Sequence, residues 1–132
     1  MIIDDGSHRA VDILNAFMNY FPLVKPGGLF IIEDTHTLYQ DAYGGGILTE
    51  NGPYAFFKKI VDIINFQFWS NELHIQTYLR SFFPHQSVPS FILEGWIESI
   101  EFRNSIITIR KSEVSGHDKI GENIRVGTDE TW

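Results

Sequence analysis

The chain contains no cysteine. That excludes disulfide frameworks, thiolate zinc sites and cysteine nucleophiles, and leaves carboxylates and imidazoles as the metal ligands to consider. Basic residues are few as well: ten Lys and Arg stand against seventeen Asp and Glu, a net charge of -7. Affinity for nucleic acid comes chiefly from cations that neutralise phosphates, so this balance argues against such a partner. No run approaches the ~20 apolar residues that span a bilayer, and the first residues lack the basic-then-apolar order of a signal peptide. The expectation is a soluble, cytoplasmic protein with neither a nucleic-acid nor a membrane partner. Its 132 residues, 43% of them hydrophobic, allow one domain at most. A chain of this length buries roughly two thirds of the surface its unfolded form exposes.

The organisation is α/β. Ile2 and Ile3 run into Asp4-Asp5-Gly6-Ser7, the pattern of a buried parallel strand opening into a loop. From Arg9 to Phe21 the apolar residues Ala10, Leu14, Phe17 and Phe21 recur at helical spacing, with Asp12, Asn15 and Asn19 on another face. Pro22 and the turn Lys25-Pro26-Gly27-Gly28 end that helix. A second buried strand, Leu29-Phe30-Ile31-Ile32, then finishes in Glu33-Asp34. Strand, helix and strand within residues 2–34 match one right-handed βαβ crossover.

The polar stretch from Thr35 through Tyr39 to Gly44-Gly45-Gly46 reads as an active-site loop with a glycine hinge, since no Lys-Ser/Thr follows to make a phosphate-binding loop. Asn51-Gly52-Pro53 opens a further helix with Phe57, Ile60, Ile64 and Phe68 as its apolar stripe. Residues 71–93 suit short helix or strand equally. Glu98–Phe102 and Ile106–Arg110, joined by Arg103-Asn104-Ser105, read as an antiparallel hairpin. Residues 1–112 are expected to form the folded part, and the polar residues 113–132 a mobile tail.

Chemistry should gather where the strands end. Asp4, Asp5, Glu33 and Asp34 follow two strands expected to be adjacent, and carboxylates that converge need a cation to offset their repulsion. An all-oxygen donor set suits Mg²⁺ or Mn²⁺. The alternative is that Asp4 and Asp5 merely build a turn with Gly6 and Ser7, and spacing alone leaves both readings open. His8 lies three residues after Asp5, where an imidazole serves as a general base, a helix cap or a surface residue. His36 stands two residues past Asp34, while His74, His85 and His117 have no constellation around them.

Taken together, Ile2-Ile3-Asp4-Asp5-Gly6-Ser7-His8, Pro22-Leu23-Val24-Lys25-Pro26-Gly27-Gly28-Leu29 and Ile31-Ile32-Glu33-Asp34 resemble the second half of class I S-adenosylmethionine-dependent methyltransferases. The pattern is most similar to the metal-dependent bacterial sugar O-methyltransferases of the mycinamicin and macrocin type. The rhamnosyl O-methyltransferase and cephalosporin hydroxylase group is more distant kin. The similarity covers residues 1–69 and 97–111. The Lys-Pro-Gly-Gly turn speaks only for the superfamily, whereas Asp-Asp-Gly-Ser-His with a later Glu-Asp is far more specific.

The resemblance implies the carboxyl half of a Rossmann-like methyltransferase sheet, parallel strands with a terminal antiparallel hairpin. It also implies S-adenosylmethionine and Mg²⁺ as cofactors. Asp5, Glu33 and Asp34 would hold the metal, His8 would be the base, and Asp4 would face the cofactor. His36 and Tyr39 would belong to the substrate side, with the hydroxyl of a sugar or other small molecule as acceptor. The family's glycine-rich first βα turn has no counterpart in these residues, so a partial domain is expected. Apolar surface left uncovered by its absence would promote homo-oligomerisation. The rival expectation is a non-catalytic interaction module that does not bind the cofactor.

Overall fold

The computed structural model describes residues 1–120. Four strands form one sheet: β1 (Ile2–Asp4), β2 (Leu29–Glu33), β3 (Ile97–Arg103) and β4 (Ile106–Lys111), in the order β1-β2-β4-β3. β1 and β2 are parallel, with Ile3 beside Ile31 and Asp4 beside Ile32. β4 pairs antiparallel with both β2 and β3. The βαβ unit and the hairpin are therefore both present, and the hairpin's second strand, not its first, joins β2.

Strand alternation decides what each face carries. Phe30 and Ile32 of β2 and their partners Ile109 and Ile107 of β4 are fully buried. Helices α1 (Ala10–Tyr20) and α2 (Pro53–Ile64) supply the rest of this core. Phe17 is its centre, with ring centroids 5.1 Å from Phe21, 5.6 Å from Phe30, 5.4 Å from Phe57 and 5.5 Å from Phe91. The opposite face leaves Ile3 and Ile106 exposed.

Both helical stripes are found, each with some members changed. Of the α1 stripe Ala10, Phe17 and Phe21 are buried as expected, Ile13 joins them, and Leu14 is only partly covered. In α2, Phe56 and Ile63 join Phe57 and Ile60. Ile64 is only partly buried, and Phe68 is exposed because the helix ends at Ile64 and a 3₁₀ turn at Phe66–Phe68 rotates that ring outward. Residues 71–93 hold two short helices, α3 (Ile75–Tyr78) and α4 (Ser90–Leu93).

The glycine run is a packed turn, in place of the hinge expected from sequence. The amides of Gly45 and Gly46 bond to the carbonyls of Gln40 and Leu38, and a Cβ on Gly45 would lie 2.1 Å from the Leu38 oxygen. The start of the expected tail is tied down too. Gly116 N–H donates to the Glu94 carbonyl, and Lys119 Nζ donates to the Gly95 carbonyl and to Ser112 Oγ. Residues 121–132 of that segment lie outside the described residues. Among the described residues no helix is long and apolar enough to cross a membrane.

Phe17→Ala removes the ring that packs against Phe21, Phe30, Phe56, Phe57 and Phe91. Urea unfolding should show a loss of about 3–5 kcal/mol, whereas Phe68→Ala should stay within about 0.5 kcal/mol of the parent chain.

Candidate metal centre

Because β1 and β2 are parallel neighbours, the loops that leave their carboxyl ends lie side by side. The first loop divides its residues between two tasks. Asp4 Oδ1 accepts the Gly6 N–H at 3.2 Å, and Ser7 Oγ accepts the Arg9 N–H and donates to Asp12 at 2.5 Å. Those contacts build the turn and the start of α1. Asp5 and His8 are left to face the second loop.

There, Asp5, His8 and Asp34 converge. Ligand-capable atoms of the three lie within 4.8 Å of one another, with His8 Nε2 3.6 Å from Asp5 and 3.5 Å from Asp34. Asp5 is 61% and Asp34 50% exposed, against 24% for His8. Exposed ion pairs contribute about 0–1 kcal/mol. That does not outweigh the backbone, since His8 (φ 60°) and Asp34 (φ 55°) both occupy the left-handed region, at a cost of about 1–3 kcal/mol each. Stability does not explain the arrangement. Two accessible carboxylates flanking one less exposed imidazole bring together donor atoms of the kind a divalent cation can take.

Of the four carboxylates expected to converge, Asp5 and Asp34 form the close group, together with His8. Asp4 is still within β1, where strand alternation puts it on the Ile32 face. Glu33 ends β2 on the face shared with Ile31 and opposite Ile106, outside the close group. One oxygen of Asp4 and the hydroxyl of Thr35 are buried without a hydrogen-bond partner among the described residues.

The second loop is held at both ends by contacts distant in sequence. The Thr35 N–H donates to the Ser105 carbonyl at 3.0 Å, and His36 Nδ1 lies 2.7 Å from Ser105 Oγ. His36 is therefore engaged with the tip of the hairpin. The buried Thr37 hydroxyl donates to the His8 carbonyl at 2.8 Å. Neither Thr37 nor Ser105 carries a sequence signal for this role, because each acts across 29 or 69 positions.

Tyr39 lines a cavity of about 310 Å³ with Leu48, Tyr54 and Lys58 among its walls. The Tyr39 and Tyr54 rings lie 4.8 Å apart, and Lys58 Nζ sits 5.0 Å above the Tyr54 ring. Burial, reinforced by a hydrogen bond with Tyr39, pushes the Tyr54 phenol up to about 12.

No family model matches the chain. Over 121 residues it is 31% identical to the 8-demethyl-8-alpha-L-rhamnosyl tetracenomycin-C 2'-O-methyltransferase of Streptomyces olivaceus, a match over 91% of this chain and 29% of that protein. Over 45 residues it is 47% identical to the mycinamicin VI 2''-O-methyltransferase of Micromonospora griseorubida, 34% of this chain and 11% of that one. Among solved structures, the MycE methyltransferase of the mycinamycin biosynthetic pathway, in complex with Mg, SAH and mycinamycin VI, superposes with a TM-score of 0.65 at 26% identity. The superposition covers 96% of this chain and 28% of that one. The chain is a homologue of the sugar O-methyltransferases of the mycinamicin and macrocin type. As such a homologue it spans less than a third of the length of these two relatives, and its four-stranded sheet is similar to the MycE fold.

The Tyr54 environment gives a direct test. Its raised pKa favours the folded state fully below the ordinary phenol value near 10, and that contribution is lost as pH rises through about 12. In an ultraviolet phenolate titration, Tyr39→Phe should bring the Tyr54 transition down from about 12 without returning it to 10, because burial, the larger cause, persists.

Proposed function

We propose that residues 1–112 are the metal-holding and proton-abstracting part of an S-adenosylmethionine-dependent, Mg²⁺-dependent O-methyltransferase that acts on a hydroxyl of a sugar or glycosylated metabolite. The observation that carries this reading is the convergence of Asp5, His8 and Asp34 at two adjacent strand ends, in a chain homologous to sugar O-methyltransferases. The donor chemistry fits the metal: Asp5 and Asp34 offer exposed carboxylate oxygens, and no thiol is present. Glu33, next to Asp34 in the chain, is the third carboxylate of the proposed set.

In this reading Asp5, Glu33 and Asp34 hold Mg²⁺, whose positive charge, when it is bound, makes a nearby hydroxyl easier to deprotonate. S-adenosylmethionine, when bound, would supply the methyl group, its sulfur–methyl bond breaking and the thioether leaving as the new oxygen–carbon bond forms. His8 Nε2 would take the proton from the acceptor hydroxyl. Asp5 and Asp34 orient the imidazole from either side and stabilise the imidazolium that forms. The lone buried oxygen of Asp4 suits a hydrogen-bond donor on the cofactor. Tyr39, beside the cavity, and His36, beside Ser105, stand on the acceptor side.

The test is a chimaera in which residues 1–112 replace the matching segment of the tetracenomycin rhamnosyl 2'-O-methyltransferase, assayed for transfer of a labelled methyl group. Asp5→Asn should abolish the response to Mg²⁺. His8→Ala should lower kcat by about 10²–10⁴-fold, the range for loss of a general base, while Mg²⁺ still binds. An unchanged rate in His8→Ala would show that another group takes the proton.

A further inference from the structure

We infer that Thr37 is a positioning residue of this site, one that sets the backbone of His8 and through it the spacing of the imidazole from Asp5 and Asp34. The inference rests on the metal-site reading above and goes beyond it, because Thr37 touches neither carboxylate nor imidazole.

Three observations carry it. Thr37 is 3% exposed, so its hydroxyl must find a protein partner or forfeit a hydrogen bond. Two carbonyls are in reach, His8 at 2.8 Å and Asp34 at 3.1 Å. The His8 carbonyl is the nearer, and the Asp34 carbonyl also receives the Thr37 N–H at 3.2 Å, so His8 is the better acceptor for the single hydroxyl proton. This is a side-chain bond that joins the loop after β1 to the loop after β2.

The second observation is where that bond ends. His8 is in the left-handed region, with φ 60°, a conformation that costs a non-glycine residue free energy and persists when its surroundings over-determine it. The Thr37 hydroxyl supplies that constraint at the residue's own carbonyl. Without it, relaxation of φ would swing the imidazole away from both carboxylates, because Cβ moves with the backbone.

The third is the alternation along the second loop. Thr35 and His36 are fastened to Ser105 at the hairpin tip, and Thr37 is fastened on the other side to His8. The loop is thus braced against the sheet, and Thr37 passes that fixed position on to the base. Groups that orient ligands from outside the first layer of contacts are often worth about 10- to 100-fold in metal affinity or activity.

The experiment uses the 132-residue chain itself, with Mn²⁺ as the probe read by electron paramagnetic resonance. The variants are Thr37→Val, Thr37→Ser, His8→Ala and Asp5→Asn, each with its thermal midpoint measured. Thr37→Val keeps the shape, removes the proton donor and unlinks the loop that carries Asp5 from the loop that carries Asp34, so it should weaken Mn²⁺ binding by about 10- to 100-fold, more than His8→Ala, which leaves that link in place. Thr37→Ser restores the donor and should restore most of the affinity. A purely structural role would lower the thermal midpoint while leaving affinity well below that midpoint unchanged, and that result overturns the inference. So does equal weakening in the Val and Ser variants.

A second readout needs no metal: the amide-to-Hα coupling of His8, which reports φ. It should change in Thr37→Val and stay as in the parent chain in Thr37→Ser, and an unchanged coupling in the Val variant overturns the inference. If the parent chain and Asp5→Asn both leave Mn²⁺ free, the metal reading fails. The coupling then still decides whether Thr37 sets His8.

Discussion

The parallel pairing of β1 with β2 is the constraint on which the site depends. It places Asp4 beside Ile32, and so the two loops that follow start one strand spacing apart, about 4.8 Å. The pairing is secured from one side only. Phe30 packs against Phe17 and Phe21, Ile32 is fully buried, and their neighbours in β4, Ile109 and Ile107, are buried with them. Burial of large apolar side chains is worth roughly 1.5–3 kcal/mol each, far more than any contact within the site. The core therefore holds the loops in place and can sustain two left-handed residues there. Energy flows from packing to the site, not the reverse.

Much of this was legible from sequence because it depends on local patterns. Continuous apolar runs marked β1 and β2, the Lys25-Pro26-Gly27-Gly28 turn separated α1 from β2, and Arg103-Asn104-Ser105 marked the hairpin. Periodicity found the two long helices and most of their buried residues, Ala10, Phe17, Phe21, Phe57 and Ile60. It did not distinguish Ile13 from Leu14 or Phe56 from Ile64, because spacings of three and four fit adjacent positions equally well and tertiary packing makes the choice.

The site was legible to the extent that its members follow strands. Asp5, His8 and Asp34 could be expected at one crevice. That Asp4 and Glu33 fall outside the close group follows from alternation at the strand ends, where a shift of one position exchanges the two faces. The left-handed backbone of His8 and Asp34, and the braces from Thr37 and Ser105, had no signature, because they arise between segments far apart in the chain. In Asp-Asp-Gly-Ser-His the turn reading is visible in the hydrogen bonds. Asp4, Gly6 and Ser7 make the turn, and the turn presents Asp5 and His8.

The central claim is that these two loops create one cation site at the carboxyl ends of β1 and β2. Titrating Mn²⁺ into the isotopically labelled chain and mapping paramagnetic broadening tests it most directly. Broadening should be strongest at Asp5, His8 and Asp34 and should decline with distance along β1 and β2. Broadening centred instead on other acidic surface residues such as Glu98 and Glu113, or spread evenly over the acidic surface, would contradict it.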